Sequence, residues 1–194
     1  TCLPSVPGLI CLCFVVVMAV TLWLSLKQQS IELALMAMII AYLAPFTLPV
    51  RNATAIELVA YYLVINIAVA VLSTFRPWKV LNQIAFLMTV VVGGAYAFYQ
   101  GKAPERGMLA LLVLAHSTVF IWLSFRYSQL LAREDLTQFK LKPILDVALI
   151  FAAPIVAFAF LYVMYFEETI WQAGFSLGFA ALYAMLYQLL KRAH

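Results

Sequence analysis

The sequence predicts an all-α fold, a polytopic transmembrane bundle of about seven spans, and three observations support this. Hydrophobic residues make up 66% of the chain and charged residues only 10%, whereas a soluble domain is about a quarter charged. The apolar residues form long runs, and the mean hydropathy of the chain is +1.03. The basic residues stand in the gaps between these runs. Because so few charges cannot cover a soluble core, the apolar surface must face lipid.

Seven apolar windows are long enough to cross the hydrocarbon layer, which takes about 20 helical residues. In chain order they are 9–26, 31–50, 55–75, 79–99, 107–125, 143–166 and 170–190. Each must be helical, since lipid offers no partner to a free backbone amide. The first window is a span rather than a signal peptide, because residues 1–8 carry no positive charge. We expect a single transmembrane region, 1–194, that is part of a longer chain.

The distribution of lysine and arginine predicts the orientation, because basic loops stay on the cytoplasmic side. One set of alternate gaps contains nine such residues: Lys27, Arg76, Lys79, Arg126, Arg133, Lys140, Lys142, Lys191 and Arg192. The other set contains three: Arg51, Lys102 and Arg106. We therefore expect the N-terminus outside and the C-terminus inside. The longest gap, 126–142, is either an amphipathic segment at the cytoplasmic interface or an ordinary solvated loop.

The net charge of +4 would suggest nucleic acid in a soluble protein, but here it indicates loops facing anionic lipid. Cys2, Cys11 and Cys13 form no CxxC pair and have no histidine nearby, so they predict neither a metal site nor a disulfide framework. The expected partners are the lipid bilayer and other transmembrane helices of the same longer chain. No nucleic acid and no cofactor is expected.

Polar residues inside the windows are the candidates for a pathway through the membrane. His116 lies near the middle of the fifth window, where an ionisable group is a functional candidate by default. Tyr62, Asn66 and Ser73 share one face of the third window, and that face must look inward. The alternative for each is structural: a neutral imidazole bonded to another helix, and polar contacts that hold helices together. Asp146, near the start of the sixth window, can reach the head groups and need not be buried.

Prolines interrupt two windows. Pro45 and Pro49 lie in the second window, and Pro154 lies in the sixth. Each lacks the amide hydrogen that the carbonyl four residues earlier would accept in a regular helix. Interrupted helices in two separate spans are typical of transporter sites, where unwound backbone lines a cavity. Simple kinks are the alternative.

Small residues predict close helix packing. Gly93 and Ala97 are four residues apart in the fourth window, and Gly174 and Gly178 have the same spacing in the seventh. The latter two frame Ser176 in a letter-for-letter match to the G-x-S-x-G nucleophile elbow, but that motif needs a strand-to-helix turn rather than an apolar helix. Hydrolysis through Ser176 and His116 is therefore a remote alternative.

Motifs of the common enzyme classes are missing from the sequence. There is no HExxH pair, Walker A loop or glycine-rich dinucleotide fingerprint, and no lysine inside the seventh window to hold a retinal. The sequence therefore indicates no catalytic residue and no metal ligand, and favours a protein that is not an enzyme.

Five stretches in order along nearly the whole chain resemble one family. They are AYLAPF at 41–46, YLVIN at 62–66, LNQIAFL at 81–87, APIVAF at 153–158 and SLGFA at 176–180. The family is the bacterial predicted-membrane-protein family known as domain of unknown function 2339. The resemblance implies a large multi-pass protein of the bacterial inner membrane and no assigned reaction. Ala41 and Ala44 stand where the family pattern has glycine and threonine.

Two functions from different classes stay open. The leading hypothesis is that the chain moves or shelters a small or lipid-like substrate in the bacterial envelope. Its pathway would be lined by Pro45, Tyr62, Asn66, His116 and Pro154. The alternative is a noncatalytic membrane scaffold or assembly component, in which the same polar residues only join helices.

Overall fold

The fold is built from helices. The computed structural model describes residues 6–47, 54–75, 78–131 and 142–193, and over these residues it contains no strand. The elements are α1 (Val6–Gln28), α2 (Ile31–Thr47), α3 (Ala55–Phe75), α4 (Lys79–Met88), a π-helix (Thr89–Gly93), α5 (Gly94–Gln100), a short 3-10 helix (Ala103–Glu105), α6 (Arg106–Leu131), α7 (Lys142–Met164) and α8 (Thr169–Ala193). Helix α4, the π-helix and α5 are continuous. The all-α prediction is confirmed over the described residues.

Each predicted window coincides with a helix, and the largest difference lies at the end of α6. That helix continues to Leu131, beyond the predicted end at 125, because 126–131 contains no proline or glycine to stop it. The rest of the predicted interfacial segment, 132–141, lies outside the described residues, as does Pro49. Outside them too are Cys2 and the side chains of Cys11, Cys13 and Asp146.

Three helices of the described chain are long and apolar enough to cross a membrane. They are Ala55–Phe75, Val80–Gln100 and Arg106–Arg126. Shorter apolar helices are Val16–Gln28, Ile31–Thr47 and Ala152–Met164. The predicted helical membrane bundle is thus confirmed as a fold class, while seven crossings remain a prediction.

Contacts divide the chain into two compact units, Thr1–Gly101 and Lys102–His194. In the first unit α1 packs on α2, α2 packs on α3, and both α2 and α3 pack on α4. Helix α3 also contacts the π-helix and α5. In the second unit α7 packs on both α6 and α8.

Local hydrogen bonds fix the helix ends of the first unit. Gln29 has φ 55°, and the amide of Ser30 donates to the carbonyl of Ser25 at 3.1 Å, which closes α1 with a tight turn. Helix α3 begins with a capping box, in which the amide of Glu57 donates to the Thr54 hydroxyl at 3.2 Å and the amide of Thr54 donates to the Glu57 carboxylate at 2.8 Å. These ends set which residues α2 and α3 turn toward each other.

The π-helix widens the fourth helical run by one residue. Thr89 begins it, and its hydroxyl donates to the carbonyl of Ala85 at 2.7 Å. A threonine that bonds back to its own helix competes with the backbone ladder. Residues 89–92 are all β-branched, which adds crowding along the turn. The widened turn ends at the buried Gly93.

In the second unit the start of α6 lies beside the end of α7. Arg106 and Glu168 approach to 4.0 Å, and Ala110 shares a buried apolar cluster with Ala157, Leu161 and Phe179. Because these contacts join the first turns of α6 to the last turns of α7, the two helices run antiparallel.

Candidate functional site

Asn66 is the centre of a buried polar cluster in the first unit. Its side chain, on α3, is 0% exposed. The carbonyl oxygen Oδ1 accepts a hydrogen bond from the hydroxyl of Tyr42 on α2, and the amide Nδ2 donates to the Thr89 hydroxyl at 2.8 Å. One side chain therefore ties together α2, α3 and the π-helix.

Tyr62 completes the cluster one turn earlier on α3. Its hydroxyl donates to the backbone carbonyl of Tyr42 at 2.9 Å, and the two rings meet edge to face with centroids 4.9 Å apart. On its other side the ring lies against Gly93, where a Cβ atom would come within 3.0 Å of the Tyr62 Cδ2. A side chain at 93 would therefore press on the Tyr62 ring, which would have to shift by a few tenths of an ångström.

The polar face of α3 predicted from the sequence continues to its last turn. Ser73 is half-buried, and its hydroxyl donates to the Oδ1 of the buried Asn82 on α4 at 2.8 Å. Tyr62, Asn66 and Ser73 thus each bond a neighbouring element. The whole face consists of neutral groups paired inside the unit, an arrangement that joins helices.

Pro45 has a structural consequence in α2. Proline at 45 cannot bond the carbonyl of Ala41, and that carbonyl instead accepts the Tyr61 hydroxyl at 2.9 Å. The half-buried proline is thus part of the α2–α3 packing. Of the five predicted pathway residues, the structure brings Pro45, Tyr62 and Asn66 to this interface.

His116 and Ser117 form a second polar feature, on α6 in the second unit. Each is 6% exposed. The His116 Nδ1 lies 2.8 Å from the carbonyl of Leu112 one turn earlier. The other ring nitrogen, Nε2, and the Ser117 hydroxyl are buried without a hydrogen-bond partner among the described residues. Pro154, the fifth predicted pathway residue, is fully buried on α7 in this unit.

The four residues predicted to pack helices differ in their surroundings. Gly93 is in contact, as described, and Ala97 is half-buried in α5. Gly174 and Gly178 are exposed on α8, and a Cβ at either position would meet nothing within 4 Å. Packing against α8 at these two glycines therefore stays a prediction.

Ser176 lies well inside α8 rather than at a strand-to-helix turn. Its hydroxyl donates to the carbonyl of Gln172 at 2.8 Å. The residues that the structure describes contain no hydrogen bond from Ser176 to His116, whose Nε2 lacks any partner. Neither residue has the geometry of an activated nucleophile.

Sequence reasoning missed two members of the cluster, Tyr42 and Thr89. Tyr42 lies in the family-like stretch 41–46, and Thr89 lies four residues before Gly93 in the fourth window. A signal for Tyr42 was available, because a tyrosine hydroxyl inside a span must find a partner. Nothing in the sequence pairs it with Asn66.

A family model matches nearly the whole chain. The sequence model of a family described as "Predicted membrane protein (DUF2339)" matches residues 3–194. Comparisons with curated proteins and with solved structures found no match. Within the described residues no group of three or more histidine, cysteine, aspartate or glutamate side chains could hold a metal ion.

Proposed function

This chain belongs to the DUF2339 family of predicted membrane proteins, and we propose that it works as a noncatalytic membrane scaffold. One observation carries the proposal: Asn66, fully buried, joins Tyr42 on α2 to Thr89 in the π-helix. A residue that lines a route for substrate needs hydrogen-bonding capacity for that substrate. Here the carbonyl and the amide of Asn66 are each already bonded to a neighbouring element.

The three hydrogen-bonded residues Tyr42, Asn66 and Thr89 form what we call the Asn66 bridge. The test replaces each of them by an apolar residue of similar shape. Removing both partners of a buried hydrogen bond is close to neutral for stability, whereas removing one leaves the other unpaired. The combined variant Tyr42→Phe, Asn66→Leu, Thr89→Val should therefore keep its fold. Expressed in the native host from which the gene has been deleted, it should complement the deletion. Asn66→Leu alone should lower the amount of protein in the membrane.

A different result would favour transport of a substrate over the scaffold role. If the triple variant reaches the membrane at normal abundance and melts like the parent, yet fails to complement the deletion, the polar groups themselves are needed and the scaffold proposal is wrong. Val64→Leu is the matched control, because Val64 is on the same helix and 66% exposed.

The second candidate function is transport or sheltering of a small or lipid-like substrate. The specific observation in its favour is the pair of unpartnered polar groups at His116 and Ser117. For this function we propose His116 and Pro154, both in the second unit, as pathway residues. His116→Leu would then abolish complementation without lowering membrane abundance.

The proposed setting is the bacterial inner membrane, crossed seven times, with the N-terminus outside and the C-terminus inside. The nine-to-three distribution of basic residues between alternate gaps supports this orientation. A reporter enzyme active only in the cytoplasm, fused after His194, should be active. A reporter active only outside should not.

A further inference from the structure

His116 has one ring nitrogen in a hydrogen bond and one without a partner in the described residues. A backbone carbonyl only accepts, so the contact between Nδ1 and the carbonyl of Leu112 requires the proton on Nδ1. In the neutral imidazole Nε2 then carries a lone pair and needs a donor. No such donor occurs in the described part of the chain.

Ser117 differs from two other hydroxyl residues of its unit, Thr118 and Ser176. Thr118, its neighbour, donates to the carbonyl of Leu114 at 2.9 Å, and Ser176 donates to Gln172 in the same manner. This bond to the preceding turn is the common solution for a hydroxyl inside a helix. Ser117 is more deeply buried than either and does not make it; over the described residues its oxygen has no partner.

The opposite helix presents small side chains at this level. Ala110 on α6 lies with Ala157 and Leu161 on α7, and the helices are antiparallel with equal rise per residue. Counting along both helices puts residues 116 and 117 level with Ala153 and Pro154, both of which are buried. Pro154 has no amide hydrogen for the carbonyl of Ile150, so a backbone acceptor lacks its usual donor one turn away.

We propose that His116 and Ser117 form a binding site for a water molecule in the α6–α7 interface. Water can donate to His116 Nε2 and accept from the Ser117 hydroxyl, and its second hydrogen suits a carbonyl such as that of Ile150. Three such bonds are typical of a buried water. Both polar atoms are covered by their surroundings, so the water enters by a local separation of α6 from the small residues of α7. The site goes beyond the scaffold role and does not depend on it.

The test uses the full chain in lipid vesicles, with histidine as the only nitrogen-15-labelled residue. The chain has two histidines, so His194→Gln leaves a single labelled ring. Magnetisation is transferred from water protons to the ring nitrogens, with bulk water as the probe. We expect early transfer to Nε2 and a shift typical of a hydrogen-bonded acceptor. Ser117→Ala should lose the early transfer, and Ser117→Thr should keep it.

Thr118→Val is the matched control, because that hydroxyl is exposed and already bonded to its own helix; it should leave the transfer unchanged. A ring nitrogen with the shift of an unbonded acceptor and no early transfer would overturn the proposal. A hydrogen-bonded shift without transfer from water would overturn it as well, because a protein donor would then occupy the place. Early transfer that survives Ser117→Ala would exclude a site shared by the two residues. None of these results bears on the scaffold proposal, which the triple variant Tyr42→Phe, Asn66→Leu, Thr89→Val tests separately.

Discussion

Asn66 and His116 are both buried polar side chains on apolar helices, and they differ in what surrounds them. Asn66 uses its carbonyl and its amide on two different elements, α2 and the π-helix. His116 bonds only its own helix through Nδ1, and its Nε2 is left over. In the sequence the two look alike, because each is a polar residue inside an apolar window. The difference teaches that such a residue either joins helices or retains unused capacity, and that only its neighbours decide which.

The largest contrast is expected between the two replacements by leucine. Asn66→Leu leaves the Tyr42 hydroxyl buried without an acceptor, which should cost about 1–3 kcal/mol of unfolding free energy. His116→Leu removes the imidazole together with the water proposed at its Nε2 and breaks no hydrogen bond between described helices, so the change should stay within about 1 kcal/mol. Unfolding of both variants in detergent, followed by circular dichroism, measures the difference. Equal losses would mean that His116 joins helices as Asn66 does.

A second contrast concerns glycine. Gly93→Ala places a methyl group against the Tyr62 ring, whereas Gly174→Ala meets open space. Both substitutions gain the same helix propensity, so that term cancels between them. The difference in unfolding free energy should be about 1–3 kcal/mol, the usual range for overpacking, with Gly93→Ala the less stable. If Gly174→Ala proved equally harmful, α8 would be packed at that glycine after all, as the sequence predicts.

The smallest contrast is between two serines. Ser73→Ala removes the donor to the buried Asn82, and should cost about 0.5–1.5 kcal/mol, the net value of one hydrogen bond. Ser117→Ala removes a bond to the proposed water rather than to a helix; release of that water regains up to about 2 kcal/mol of entropy, so the loss of stability should be smaller than for Ser73→Ala. The same unfolding experiment compares them, and a larger loss for Ser117 would contradict the contrast.

The sequence was informative where a property is local. Length and apolar character predicted the helices with small errors at their ends, and the 3.6-residue period correctly turned Tyr62 and Asn66 inward. Partners across helices could not be predicted, because the contact between Asn66 and Thr89 depends on how two helices are rotated against each other. The π-helix was equally hidden, since the residues from Thr89 to Gly93 would also fit a regular helical turn. Whether the predicted site residues line a route remains a prediction.

The π-helix also affects how this chain tolerates insertions and deletions. An α-helix turns by about 100° per residue, so one added residue shifts every later side chain around the axis by that angle. Helix α5 faces α3 only with the extra residue of the widened turn counted in. Deleting a single residue between Thr89 and Gly93 would remove the extra residue and restore a regular helix, with Tyr96 and Ala97 kept on the same side. Relatives without this turn would therefore be one residue shorter between Thr89 and Gly93, and the apolar faces before and after that point would stay aligned.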